Sequence, residues 1–299
     1  QEGQSTRGEF GSNLGICVFG GKLKFGGSAL LPLNAALALR RYSLKKCQLC
    51  LCKSELCNSH AIPDSVFRSL FKQGNGQAIE LSSGELIPNR KSQDSWATDQ
   101  LCSGCEVKLN ITYDQYGLNL LRGKVGKVIR YEDGVHFSDI DSLKFKSFVL
   151  SIFWRGAVSE HENYKTIQVA PRFLELIRSS LVRQDNVSKN SCTVIVQRLI
   201  DTTDGGFDES HLRNFVVSPF PRKYEVRGQF YSSISMIFLG FYFEIFYNPI
   251  RFSEKVSKFA LGSSSTTYIA PYIEVTEIPE VFDLMVNGLR KEHKGLSNV

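Results

Sequence analysis

Two C-x2-C pairs, Cys47/Cys50 and Cys102/Cys105, are separated by 51 residues. A C-x2-C turn lets both thiolates reach one ion from a tight knuckle, and two knuckles complete tetrahedral S4 coordination of zinc. The spacing exceeds that of a simple zinc ribbon, so a subdomain is inserted between the halves. Cys52 is too close to Cys50 to join its knuckle, whereas a mixed set including Cys57 is the alternative ligand set. Such a site is structural: it supplies on the order of 10 kcal/mol of folding free energy and names no activity. Six of the eight cysteines lie between positions 47 and 105. That clustering reads as metal ligands in a reducing, cytoplasmic compartment and not as a secreted disulfide framework. Cys17 and Cys192 stand alone as ordinary thiols.

The first histidine, His60, lies between the knuckles in Leu56-Cys57-Asn58-Ser59-His60-Ala61-Ile62-Pro63. With Cys47-x2-Cys50 before it and Leu101-Cys102-Ser103-Gly104-Cys105-Glu106 after it, this order resembles zinc-containing HNH endonucleases. It is closer still to an uncharacterised bacterial HNH-like group with Ser-His-x-Ile-Pro and Cys-x2-Cys-Glu motifs. The resemblance covers residues 46–122, and the segment Phe153-Trp154-Arg155 is faintly similar to the same group.

The resemblance implies a treble-clef ββα-metal module in which His60 is the general base that activates water against a phosphodiester. A neutral imidazole with a pKa near 6.5 suits that work. It also implies a catalytic divalent ion, Mg²⁺ or Mn²⁺, for which Glu106 stands where the family often has a metal-binding His. A carboxylate is a good ligand for such a hard ion. Many members carry Asp immediately before the His; here Ser59 holds that place, and Asn58 or Asp64 would stand in. The family's middle Asn has no match in 94–100, where Asp94 and Asp99 are the carboxylates within reach. From the residues alone, His60 could equally cap the helix after Pro63, and Glu106 could face the dipole of its own helix. His136, His161, His211 and His293 have no partner spacing and read as surface residues. Lys108, Arg122, Lys124 and Lys127 would touch phosphates or form a solvated face.

These residues must be carried by a fold. The chain has 299 residues, 42% hydrophobic and 22% charged, which is the composition of a globular protein with room for two cores. A net charge of +6 is compatible with a polyanionic partner. No acidic residue falls between Glu9 and Glu55, while Lys22, Lys24, Arg40, Arg41, Lys45, Lys46 and Lys53 do, making a basic arm suited to phosphates or simply solvated. The longest apolar run, Ile234 to Tyr247, holds Glu244 and is too short to span a bilayer, so no membrane partner is expected. The charges at Arg40-Arg41 follow the apolar stretch 28–39, opposite to a signal peptide, and the likeness to a transit peptide is weak. Gly8-Glu9-Phe10-Gly11-Ser12 has the form of a cloning scar, so residues 1 to about 14 are left out of the fold reading.

The pattern predicts an α+β chain. Residues 1–27 are expected to lack order or to be cloning-derived, 28–135 to form the zinc-bound HNH-like module, and 136–299 to form a mixed helical and antiparallel-β domain. Helices are expected over 28–45, from Pro63, over Glu106–Leu121, within 143–184 and from Pro279 to Lys291. Strands are expected in 77–87, in Cys192–Ile200 and in a hairpin over Gln229–Tyr247 bent near Gly240. That aromatic hairpin reads as core, with an interface to a protein partner or to another copy as the alternative. The leading functional expectation is a metal-dependent endonuclease acting on DNA, less so RNA, in bacterial phage defence or as a toxin. The alternative is a non-catalytic zinc module that binds nucleic acid or protein. A redox role for the C-x2-C thiols needs no second knuckle and lacks a surrounding βαβ pattern.

Overall fold

The computed structural model describes residues 15–18, 44–226, 228–247, 259–262 and 264–298. Strand β1 is Gly15–Val18. Strands β2 (Lys45–Lys46) and β3 (Lys53–Ser54) pair antiparallel around the first cysteine pair. Leu51 closes that knuckle at φ +65°, and its N–H donates to the Cys47 carbonyl (2.9 Å). Strand β4 (Cys57–His60) runs into α1 (Asp64–Gln73), which starts after Pro63 and buries Val66, Phe67 and Leu70 on one face. The hairpin strands β5 (Ala78–Ser82) and β6 (Asn89–Ser92) follow. Strand β7 (Ala97–Leu101) then returns antiparallel along β4, setting Ala97 opposite His60, Thr98 opposite Ser59 and Asp99 opposite Asn58. Helix α2 (Ser103–Leu109) begins at the second cysteine pair and continues through a π-helical turn (Asn110–Asp114) into α3 (Gln115–Leu121). The unit around His60 is therefore an antiparallel strand pair followed by a helix, with one cysteine pair before β4 and the other where β7 passes into α2.

Strands β8 (Lys127–Tyr131) and β9 (Gly134–Ser138) precede α4 (Ser142–Ala157) and α5 (Pro171–Arg183). Then come β10 (Thr193–Ile200), the short α6 (Glu209–Leu212), β11 (Val216–Val226), β12 (Gln229–Phe238), β13 (Phe241–Phe246) and β14 (Thr267–Glu274). Helix α7 (Pro279–His293) and β15 (Ser297–Asn298) end the described chain. One sheet takes the order β15-β6-β5-β1-β11-β12-β13-β10-β14-β9-β8. Its pairs are antiparallel except β10 with β14 and β15 with β6.

Alternation along the strands divides the core between two faces. Ile234, Met236 and Phe238 of β12 and Phe241, Phe243 and Ile245 of β13 join the larger cluster, which holds Phe145, Phe148, Ile152 and Phe153 of α4. Ile237 and Tyr242 point the other way, into a smaller cluster with Val281 and Leu284 of α7. The β12–β13 turn sets Leu239 and Gly240 at φ +54° and +74°, the paired left-handed geometry of a two-residue hairpin.

The α+β class holds, and the aromatic hairpin is core as expected. The boundary expected at 135/136 falls inside β9, and β5 and β6, inserted between the cysteine pairs, lie in the same sheet as β10–β14. Within 1–27, Gly15–Val18 is a strand between β5 and β11, and nearly all of the helix expected over 28–45 lies outside the described residues. No helix among the described residues is long and apolar enough to cross a membrane.

The helix carrying the second cysteine pair is docked by a close approach: a Cβ on Gly117 would sit 2.1 Å from Phe148 Cγ. Both neighbours are buried, so the ring cannot swing into solvent. Gly117→Ala is expected to destabilise the protein by about 1–3 kcal/mol, as overpacking does. A urea midpoint equal to that of the wild type would show that α3 and α4 are not packed this closely.

Candidate metal centre and the His60 site

The sulfur atoms of Cys47, Cys50, Cys102 and Cys105 all lie within 4.8 Å of one another. Cys50 Sγ and Cys102 Sγ are 3.9 Å apart. Ligands about 2.3 Å from a tetrahedral zinc are separated by roughly 3.8 Å, so the spacing fits such an ion. The four thiols could hold a metal ion such as zinc. Two backbone contacts tie the knuckles together: Cys102 N–H donates to Cys47 Sγ (3.3 Å) and Gln48 N–H to the Gln100 carbonyl (3.1 Å). Cys102 is the N-cap of α2, and burial raises its thiol above the ordinary value against the pull of the helix dipole. The Cys52 backbone N–H holds the exposed Cys50 thiol down, to about 7, whereas burial pushes the Cys105 thiol well up. Cys52 and Cys57 are not in the group of four. Cys52 is exposed, with its Sγ 3.6 Å from the Cys50 carbonyl.

His60 ends β4, its side chain 18% exposed, with Nε2 2.9 Å from Ser95 Oγ and 3.7 Å from Asp64 Oδ1. Asp64 is also held by Arg68 Nε (2.7 Å). Burial lowers the His60 imidazole below its ordinary value; Asp64 and Glu106 oppose this and Arg155 adds to it. Burial thus favours the neutral form of the ring. Glu106 lies in the first turn of α2, and its Oε2 is buried without a hydrogen-bond partner. Asn58 is exposed, two residues before His60 and so on the same face of β4. Ser59 faces the core, fully buried, and donates to the Cys57 carbonyl (3.2 Å). A carboxylate at that position would point into the core.

His161, expected on the surface without a partner, is 13% exposed and bound on both ring nitrogens. Its Nε2 is 3.0 Å from Asp94 Oδ2, and its Nδ1 accepts from Asn163 N–H (3.2 Å). Tyr164 touches both parts of the site: its hydroxyl accepts from Ile62 N–H (3.4 Å), and its ring lies edge-on to His161. Trp96, at φ +57°, packs between Phe67 and Tyr164. Asp99 is exposed opposite Asn58. Three of the four basic residues expected at phosphates have partners within the protein. Lys108 donates to the Val182 carbonyl, Arg122 to Ser65, and Lys127 pairs with Asp139. His136 and His211 pair with Asp133 and Asp208.

Among the described residues, no second group of three His, Cys, Asp or Glu ligand atoms gathers as the four thiols do. Glu106 is thus not part of a second such group. No family model, curated protein or solved structure matches this chain. The residues missed in the sequence, Ser95, His161 and Tyr164, carry no local signal. His161 is 67 positions from Asp94 and reaches it only through the packing of the segment after α4.

Proposed function

We propose that the chain is a metal-dependent, HNH-type endonuclease that hydrolyses phosphodiester bonds in DNA. The observation that carries the reading is a part-buried His60 at the end of a strand, its imidazole within the field of a Glu106 carboxylate that has one buried, unpartnered oxygen. The strand pair β4–β7, followed by α2 and flanked by the two cysteine pairs, supports it. Structural zinc on the four thiols would hold the hairpin before β4 against the junction of β7 with α2. His60 would take the proton of the attacking water. A Mg²⁺ or Mn²⁺ ion at Glu106, with Asn58, would neutralise charge on the phosphorane and the leaving oxygen. Mg²⁺ characteristically binds through one or two carboxylates plus substrate phosphates, so a sparse donor set of this kind fits it.

A second reading, a non-catalytic zinc module binding nucleic acid or a protein, is favoured by one observation. Lys45, Lys46 and Lys53 are exposed on the hairpin of the first knuckle, while Asp64 and Asp94 are engaged by Arg68 and His161.

Plasmid DNA incubated with Mg²⁺, Mn²⁺ or EDTA, wild type beside His60→Ala, separates the two. The nuclease predicts metal-dependent nicking that falls to background in His60→Ala while the melting temperature is kept. Folded, zinc-loaded protein that shifts DNA in a gel without cutting it would reject catalysis in favour of the binding module.

A further inference from the structure

We infer that Asp94 and His161 form a latch that positions His60 through Ser95. The inference rests on the nuclease reading for its effect on rate, but the contact it describes is independent of activity. His161 cannot serve the substrate directly, because both ring nitrogens are taken. Nδ1 accepts the Asn163 N–H at 3.2 Å and so carries no proton. The proton of the neutral ring is then on Nε2, donated to Asp94 Oδ2 at 3.0 Å. Asp94 spends its other oxygen on Trp96 N–H at 2.8 Å. One carboxylate thus closes the 94–96 turn from inside and ties it to the segment after α4.

The residue inside that turn is Ser95, whose Oγ lies 2.9 Å from His60 Nε2. Trp96, next along, holds a left-handed conformation uncommon for a bulky residue. Its indole is fully buried between Phe67 and Tyr164, which keeps it there. The same segment grips β7 a second time: Ser159 Oγ is 3.0 Å from Thr98 Oγ1 and accepts from His161 N–H at 3.2 Å. The turn is therefore fixed at both ends, and Ser95 has one place to be. With Ser95 on Nε2, the His60 ring cannot rotate freely, and when Nε2–H donates to Ser95 Oγ the lone pair left to act as base is on Nδ1. His161 is a positioning residue, two hydrogen bonds removed from the base.

Three variants test this. His161→Phe keeps a ring against Tyr164 and loses both ring hydrogen bonds; His161→Gln restores a donor for Asp94; Ser95→Ala removes the last link. In protein labelled with ¹⁵N-histidine, at one fixed pH, the His60 ring resonances are expected to move in His161→Phe and Ser95→Ala in the same direction. They should return toward wild type in His161→Gln. On plasmid DNA, kcat should fall by up to about 100-fold in His161→Phe with KM unchanged, as for a misplaced base, and recover in the Gln variant. Unmoved His60 resonances in folded His161→Phe would overturn the latch. Should His161→Phe fail to fold, Asp94→Asn, which keeps an acceptor for Trp96 N–H, replaces it with the same two outcomes. Absence of cleavage by the wild type would count against the nuclease, whereas the resonances would still decide the latch.

Discussion

On the proposal that the four thiols hold zinc, removing it with a chelator, or replacing Cys105 by Ser, is expected to unfold the unit around His60. Besides the thiols, the first knuckle is held mainly by Gln48 N–H on the Gln100 carbonyl and by Arg178 on the Leu49 carbonyl (2.6 Å). Strands β2 and β3 are two residues long, and Lys45, Lys46 and Lys53 are exposed. An isolated two-stranded hairpin is marginal in water even at ordinary lengths. The buried side chains the knuckle contributes are Cys47 and Leu49. A structural zinc site contributes about 10 kcal/mol or more, comparable to the whole stability of a domain. Cys47→Ser and Cys105→Ser should therefore fail to retain the proposed zinc and lower the melting temperature by more than about 10 °C. Cys52→Ser and Cys57→Ser, outside the group of four, should retain both. Because thiols release protons when they bind metal, the site should weaken as pH falls. Zinc content by emission spectroscopy and melting curves with and without chelator make the check. A chelated protein that melts like the untreated one would remove the metal from the account of stability.

What could be read from the chain alone was what is encoded locally. C-x2-C pairs declare themselves within four residues, and their thiols do converge. The stripe Phe145, Phe148, Val149, Ile152 and Phe153 repeats at helical spacing, and every member is buried in α4. Gly240 bends the aromatic hairpin, and Pro279 opens α7, because each fixes its own backbone. Long-range pairing was not legible. Strands β5 and β6 lie between the cysteine pairs in sequence yet form part of the sheet with β10–β14, because β1 bridges β5 to β11 and residue spacing holds no record of that register. The helix expected over Glu106–Leu121 does form, but a π turn at Asn110–Asp114 resets its phase. An uninterrupted 3.6-residue period misses which residues then turn inward, Asp114 among them.

That reset sets up the second large effect, at Arg155. Its Nη1 and Nη2 donate to the two oxygens of Asp114 at 2.9 and 2.6 Å, with the side chains 1% and 5% exposed, and its Nε donates to the Ser151 carbonyl. The π turn brings Asp114 to face α4, so the pair pins the helix that begins at the cysteines and carries Glu106 in its first turn. Burial pushes the Asp114 carboxyl up, and the Arg155 guanidinium is what opposes it. Arg155→Met removes that opposition and leaves a carboxylate in the core, an expected loss of about 3–5 kcal/mol. The sign with pH follows. In this variant the folded state binds a proton on Asp114 more tightly than the unfolded state does, so the deficit is full at pH 8 and shrinks as pH falls toward 5. Arg155→Met with Asp114→Leu removes both charges and should recover most of the loss at pH 8, because replacing a buried pair by apolar groups is often neutral. Urea unfolding of the three proteins at both pH values measures it. A single variant within about 1 kcal/mol of wild type, or a deficit that grows as pH falls, would mean that Asp114 is not a buried carboxylate held by Arg155. The α2–α3 helix, and Glu106 with it, would then need another anchor.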